Sequence, residues 1–521
     1  MNNLQRAWGT AWGPALSWVW RCDTMDSLPT LRVSLLRTRT TERHGNAFCR
    51  AKGVVASCAL MSCCLVVLSL AAQTTAEEYR VYNPHPRLLL TAQRLRLLKR
   101  ERDRDSMRWH QFSLLVRSAA EMPESGFALA LYYQVTGDDA FGKRAVDWAL
   151  GPGTDLRQLA LVFDWCQPVL NAAQSKTLAS KIQRLAEQRP LDSLAGRRDR
   201  VLGVIATADE NQHGEEAVLR DTVEKWWRAQ LAPALADGRT MPAPDELYAL
   251  AELLHAIRDN LKIELRDDIP EYFRELPKYQ VLGNYPAPLE APENEYRIPV
   301  FSGAAQPDLD RAALARVAGL SMVAYDNNAL ENQFLQGWLI QDRFMLQGTF
   351  GAPYEFLWAN PYQPGLSYFQ LPVLYHDAHS GALFVRSNWE DDAVWFGLYR
   401  GEAQLFRDGK ITVLKPPAPG AANPAPIAVG DASVMWGTAP LKFSVEGGAM
   451  LVVGLKPQHK YLIETDDEEM REAETDRAGT LVLPYPEERS AGVRISDSNQ
   501  NGVKSGTSTA GSSFQASVAK P

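Results

Sequence analysis

The chain has 521 residues, 45% hydrophobic and 22% charged, with a formal net charge of -7, enough apolar material for two folded cores. No basic run interrupts the folded part, which argues against nucleic acid as a partner; an acidic polymer would have to be held by local Arg, Lys and His side chains. GxGxxG, GxxxxGKS/T, GxSxG and HExxH are all absent from the sequence, so nucleotide, hydride and zinc-protease chemistry have no support.

Residues 1–76 read as a basic leader. Arg50 and Lys52 precede the uncharged stretch 53–72, GVVASCALMSCCLVVLSLAA, and Ala71, Ala72 and Ala76 supply small residues for signal cleavage. The stretch is also long enough to span a bilayer, so an uncleaved anchor is the competing reading. The expected location is secreted or periplasmic, or membrane-anchored through residues 53–72. Cys22, Cys49, Cys58, Cys63 and Cys64 all precede residue 73, so removal of the leader leaves Cys166 without a partner. Its apolar surroundings, FDWCQP, predict a buried thiol.

From Thr91 apolar residues recur at helical spacing. Thr91 caps a helix with Leu95 and Leu98 on its inner stripe; Ser125 opens another that Gly137 closes, and Asp138 starts the next. Asn171 with Gln174 three later forms a capping box before Leu178, Ile182 and Leu185. Leu219, Val223, Trp227 and Leu231 mark a helix ending before Pro233, and Leu247, Leu250, Leu254, Ile257 and Leu261 mark another from about Asp245. After a Pro-rich stretch, Asp308 opens one more. Many helices with short connections imply antiparallel hairpins packed side by side.

At His376 the period changes. Leu383 to Val385 and Val394 to Tyr399 read as strands covered on both faces, and Asp408-Gly409 sits between apolar runs as a type I′ hairpin turn requires. Further strands follow near Ala449, Lys460, Gly479 and Gly492, with a linker over 416–426. The acidic run Asp466 to Glu474 reads as a solvated loop or short helix. The expected fold is α+β and multidomain: an α/α toroid, complete or partial, over 77–372, an antiparallel β-sandwich over 373–496, and a disordered tail over 497–521.

Four segments coincide in order with one family: Asn83 to Thr91 (NPHPRLLLT), Tyr133 to Asp138 (YQVTGD), Phe163 to Cys166 (FDWC) and Gly381 to Trp389 (GALFVRSNW). Together they resemble heparinase II/III-type polysaccharide lyases. The resemblance implies a helical toroid, a β-domain, and β-elimination on uronate-containing polysaccharide, with Tyr and His as acid and base and Asn, Arg or Glu beside them.

Tyr248, Glu252, His255 and Asp259 recur at four, three and four on one helix face. Tyr248 follows Asp237-Gly238 as the family's tyrosine follows its own Asp-Gly step, so the resemblance makes it the expected general acid/base, with His255 near it; an ordinary solvated face is the alternative. His213, with Asn211 before it and Glu216 after, is similar to the family's Asn/His/Glu cluster, although only a short stretch separates it from Asp237. His376 and His379 are candidate substrate contacts, as is Arg386, with Glu252 as a further polar contact. Their alternative roles are structural. No cofactor is expected; a divalent metal at His376, Asp377 and His379 would be an incomplete set. Where the family places a His-rich loop, Tyr399 to Gly409 holds none; Glu402 and Gln404 stand there instead. The sequence thus supports an acidic-polysaccharide partner with cleavage by β-elimination, a non-catalytic glycan-binding or structural envelope protein, or a hydrolase drawing on Asp209, Glu210, Glu215 and Glu216.

Overall fold

The computed structural model describes residues 77–208, 214–300, 307–341, 345–415, 425–446, 448–466, 469–484 and 490–498. The leader, Asn211, His213 and nearly all of the tail lie outside them. A helical region precedes a set of β-sheets, so the fold is mixed α and β.

The helices begin where the local chemistry says they should. Helices α1 (Ala92–Asp103), α2 (Met107–Arg117), α4 (Asp139–Leu150), α5 (Leu156–Trp165), α6 (Ala172–Gln188) and α7 (Leu194–Ala206) start at Thr91, Ser106, Asp138, Asp155, Asn171 and Ser193, each accepting a backbone N–H through its side chain. Asn171 and Gln174 form the reciprocal box. Helix α3 (Ser125–Thr136) stops at Gly137, whose φ of 74° is left-handed.

The segment after α7 departs from expectation. Helix α8 (Glu215–Arg220) runs into a π-helical stretch, Asp221–Leu231, and then α9 (Ala232–Ala236). Pro233 therefore does not end the helix, because a first-turn position leaves its missing N–H without consequence. Helix α10 (Leu247–Leu261) starts two residues after Asp245. Helices α11 (Pro270–Leu282), α12 (Leu309–Tyr325), α13 (Leu330–Gln341) and α14 (Gly348–Trp358) complete the region.

Packing links α3 to α5, α5 to α7, α7 to α10, α10 to α12, α12 to α14, and α14 back to α3. The remaining long helices lie outside this circuit, with α4 against α3 and α5, α6 against α5 and α7, and α13 against α12. Every residue of α10 from Leu247 to Ile257 is buried, so this helix has no solvated side there.

Strands β3 (Leu374–Asp377), β4 (Ala382–Arg386), β5 (Trp395–Tyr399), β6 (Glu402–Arg407) and β7 (Lys410–Leu414) form one antiparallel meander. The turn between β6 and β7 has Asp408 at φ 52° and Gly409 at 70°, as a type I′ turn demands. Alternation sorts this sheet's two faces. Ala382, Phe384, Trp395 and Tyr399 join the helical core, whereas Leu383, Val385, Phe396 and Leu398 face a second sheet. That second sheet is ordered β14 (Leu481–Pro484), β11 (Ala449–Val453), β9 (Ala432–Trp436), β8 (Ile427–Val429). Its other face shares a core with a third sheet, ordered β10 (Leu441–Glu446), β15 (Ser490–Asp497), β12 (Lys460–Thr465), β13 (Glu469–Glu474). A two-residue ladder, β1 (Leu289–Glu290) with β2 (Glu295–Tyr296), lies in the Pro-rich stretch.

Two expectations about these strands are corrected. The pairing is not wholly antiparallel: β9 and β11 run parallel, because the intervening β10 crosses to the third sheet. The acidic run is an edge strand, not a loop or helix. Glu472 and Glu474 stay solvated there, and Glu472 pairs with Lys460 at 2.8 Å across the ladder.

The segments on which the family resemblance rests are joints of the fold. Asp164 is fully buried and accepts from the backbone N–H groups of Arg87 (2.9 Å) and Leu88 (2.8 Å), while the Trp165 indole donates to the Leu88 carbonyl at 2.9 Å. Gly137 and Asp138 end one helix and start the next. GALFVRSNW is the strand that separates two cores. Among the described residues no helix is long and apolar enough to cross a membrane.

Candidate functional site

Over Tyr248, Glu252 and His255 the polar face of α10 is neither solvated nor open to a cleft, whereas its fourth member, Asp259, lines the second cleft described below. Glu252 is fully buried and accepts from Arg157 Nε (2.9 Å), Arg157 Nη2 (2.8 Å), Arg198 Nη1 (2.5 Å) and the Tyr248 hydroxyl (2.5 Å). Trp358 Nε1 donates to the Tyr248 oxygen at 3.1 Å, and Arg157 reaches Glu124 at 2.8 Å. These residues sit on α5, α7, α10 and α14 and at the start of α3. Arg157 touches Tyr248 across α7, and Tyr248 touches Trp358 across α12. The cluster therefore ties together helices that are not neighbours in the circuit. Burial would raise the Glu252 carboxyl, but Arg157 and Arg198 overcome this and hold it at about 2. Burial and the Glu252 charge push the Tyr248 phenol well above its ordinary value, the wrong direction for a base.

One turn on, His255 is 3% exposed and donates from Nε2 to the Ser321 carbonyl at 3.0 Å. Its ring lies 4.8 Å from that of Trp358 and 4.9 Å from that of Tyr325. Burial, then Arg94, lowers its pKa to about 3, so the imidazole is neutral. Tyr248 and His255 thus lie outside both clefts described next.

The first cleft lies at the junction of the helices with the first sheet and has a volume of about 520 Å³. Its walls are the loop Leu235 to Pro242 and α11 on one side and Tyr375 to Ser380 on the other. Gly238, at φ 62°, stands directly against the backbone of His379, where a Cβ would collide. His376 and His379 both line this cleft. His376 Nε2 is 2.9 Å from Asp476, and Asp377 accepts from the His379 amide at 3.0 Å. Among the described residues no group of three His, Cys, Asp or Glu side chains is arranged to hold a metal, so the set His376, Asp377 and His379 gains no support.

The second cleft is a groove of about 1030 Å³ where α10, α12 and α14 end. Arg94, Arg96, Arg100 and Arg258 line it with Tyr325 and Tyr362, against Asp259 as the single carboxylate among the described lining residues. The Arg100 guanidinium lies 4.0 Å from the centre of the Tyr362 ring, and that of Arg258 lies 3.6 Å from the centre of Tyr325. Burial pulls Arg94 down to about 10, still cationic at neutral pH. Burial also raises Asp259, against the pull of Arg258, and its Oδ2 has no hydrogen-bond partner. Arg96 and Arg100 are exposed.

Of the other expected residues, Glu216 is exposed in the first turn of α8. Arg386 is 5% exposed and donates to the carbonyls of Asn388 (2.6 Å) and Glu390 (3.2 Å), bracing the turn before β5 and entering neither cleft. Gln404 is buried; it accepts from the Tyr285 hydroxyl and donates to Glu402 at 2.5 Å, tying sheet to helices. The arginines of α1 were missed by the sequence reading, although their spacing in RLRLLKR was the available signal. What brings them to Arg258 and Tyr362 is tertiary.

No protein-family model matches the chain, and no curated protein matches it. Among solved structures the chain is similar to one described as a glycoside hydrolase, at 10% identity over 82% of this chain and 79% of that one, with a TM-score of 0.27. A likeness at that TM-score carries no argument about chemistry.

Proposed function

We propose that the protein is an exported binding protein for an acidic, uronate-containing polysaccharide, which it holds in the arginine-lined groove. In this reading the helical circuit is an α/α toroid and the stacked sheets are a β-sandwich domain. The observation that carries the proposal is the groove's composition: the exposed guanidinium groups of Arg96 and Arg100 for carboxylates or sulfates, Arg94 and Arg258 adding positive charge behind them, and the side chains of Asn327, Asn360 and Gln363 for hydroxyls. The carbonyl ends of three helices converge there and would by themselves repel an anion, so the arginines set the sign of the site.

Binding without cleavage is the preferred form. β-Elimination needs a base beside the neutralised carboxylate. Among the described groove residues the Tyr325 hydroxyl is committed to Glu264 at 2.8 Å, and His255 lies buried beneath. The test is calorimetric titration with an oligouronate and with a neutral glucan of equal length. The oligouronate should bind, the glucan should not, and no unsaturated-uronate absorbance should develop. The double variant Arg96→Ala/Arg100→Ala should bind about tenfold more weakly, with a smaller salt dependence. Equal binding by variant and wild type would remove the groove from consideration.

A further inference from the structure

The junction cleft has the opposite electrostatic character from the groove. Tyr272, Tyr279 and Tyr375 line it together with Asp268, Glu271, Glu275 and Asp377, and no Arg or Lys is among its described lining residues. Two of these carboxylates already have a cation: Asp268 pairs with Arg228 at 3.2 Å and Glu275 with Lys278 at 2.9 Å. That leaves Glu271, exposed at the rim, and Asp377, which accepts hydrogen bonds from the His379 amide and the Ser380 hydroxyl, each without an ion pair to an Arg or Lys among the described residues. All three phenols are kept protonated, since burial raises each of them and Asp377 adds to this at Tyr272 and Tyr375. Tyr279 and Tyr375 meet edge to face at 5.9 Å, giving the cleft an aromatic wall. Leu235, Met241 and Leu276 supply an apolar floor. At about 520 Å³ the cleft is within the size range of small-ligand sites.

We propose that this cleft binds a small organic cation, an ammonium group carried on an apolar or aromatic body. The body lies on the tyrosine and leucine wall, and the ammonium faces the rings and the Glu271 and Asp377 carboxylates. An anion of the same shape meets carboxylates and, among the described lining residues, no Arg or Lys, so the site discriminates by charge. This inference does not rest on the glycan reading, because the two clefts share no lining residue.

The test titrates the full chain with three ligands of one shape, phenethylammonium, 2-phenylethanol and phenylacetate, in a calorimeter. Phenethylammonium should bind about tenfold more tightly than the alcohol, and phenylacetate should not bind. Glu271→Gln, at an exposed position, should weaken the cation severalfold and leave the alcohol unchanged. Tyr272→Ala should weaken both, and Tyr272→Phe should restore both. The proposal is overturned if phenylacetate binds as well as the ammonium, if none of the three binds, or if Glu271→Gln and Tyr272→Ala both leave the cation's affinity unaltered.

Discussion

Replacing Glu252 by Gln tests whether the buried cluster between α5, α7 and α10 is held by charge. The side chain is fully buried and receives hydrogen bonds from Arg157, Arg198 and Tyr248. Its carboxyl sits at about 2 against an ordinary 4.5. Moving a carboxyl over that interval corresponds to about 3 kcal/mol of stability at neutral pH. Gln keeps the shape but removes the charge, and Arg157 and Arg198 stay buried with only Glu124 and Asp199 to face. Breaking a buried pair from one side costs about 3–5 kcal/mol, and the two remaining carboxylates place the expectation near the lower end. Because the folded carboxyl titrates below the unfolded one, the contribution is complete above pH 4.5 and disappears as pH falls towards 2. Urea denaturation followed by fluorescence of the buried tryptophans, at pH 7 and again at about 3.5, measures both effects. A loss under about 1 kcal/mol at pH 7, or the same loss at both pH values, would refute the charge account.

Two further substitutions probe the joints. Gly238→Ala should destabilise by about 2–3 kcal/mol, combining a left-handed backbone with collision against His379, whereas Gly137→Ala, left-handed but in open space, should cost about 1 kcal/mol; equal losses in denaturation midpoints would remove the role of close approach. Cys166 is fully buried and its thiol is pushed up to about 12, so a disulfide-exchange reagent at pH 8 should label the native chain at least ~100-fold more slowly than the urea-unfolded chain. Rapid labelling of native protein would show that the thiol is accessible.

Much of the helical order was legible because capping is local. Thr91, Asp138, Asn171 and Asp308 each announce a helix start through a side chain that reaches no further than three residues. The Asp408-Gly409 turn was legible for the same reason. Helix α14 was not, since Gly348, Gly351 and Pro353 read as breakers; it is helical because Tyr354, Phe356 and Trp358 are buried in the helical core. The edge strand β13 was hidden by its carboxylates, which oppose association of chains but not pairing with β12.

The polar stripe on α10 marks the boundary between the two kinds of information. By itself the sequence determined that Tyr248, Glu252, His255 and Asp259 share one face, because helical spacing depends on nothing outside the helix. It also determined the switch to strands at His376 and the fate of Cys166. Only the tertiary structure decided what that face meets. Arg157 lies 91 positions from Tyr248 and Arg198 lies 54 from Glu252, so no local pattern announces either contact. Those two guanidinium groups hold Tyr248 and Glu252 in one buried hydrogen-bonded cluster. The same packing leaves the clefts at the end of α10 and where the helices meet the first sheet, with cations lining one and carboxylates the other.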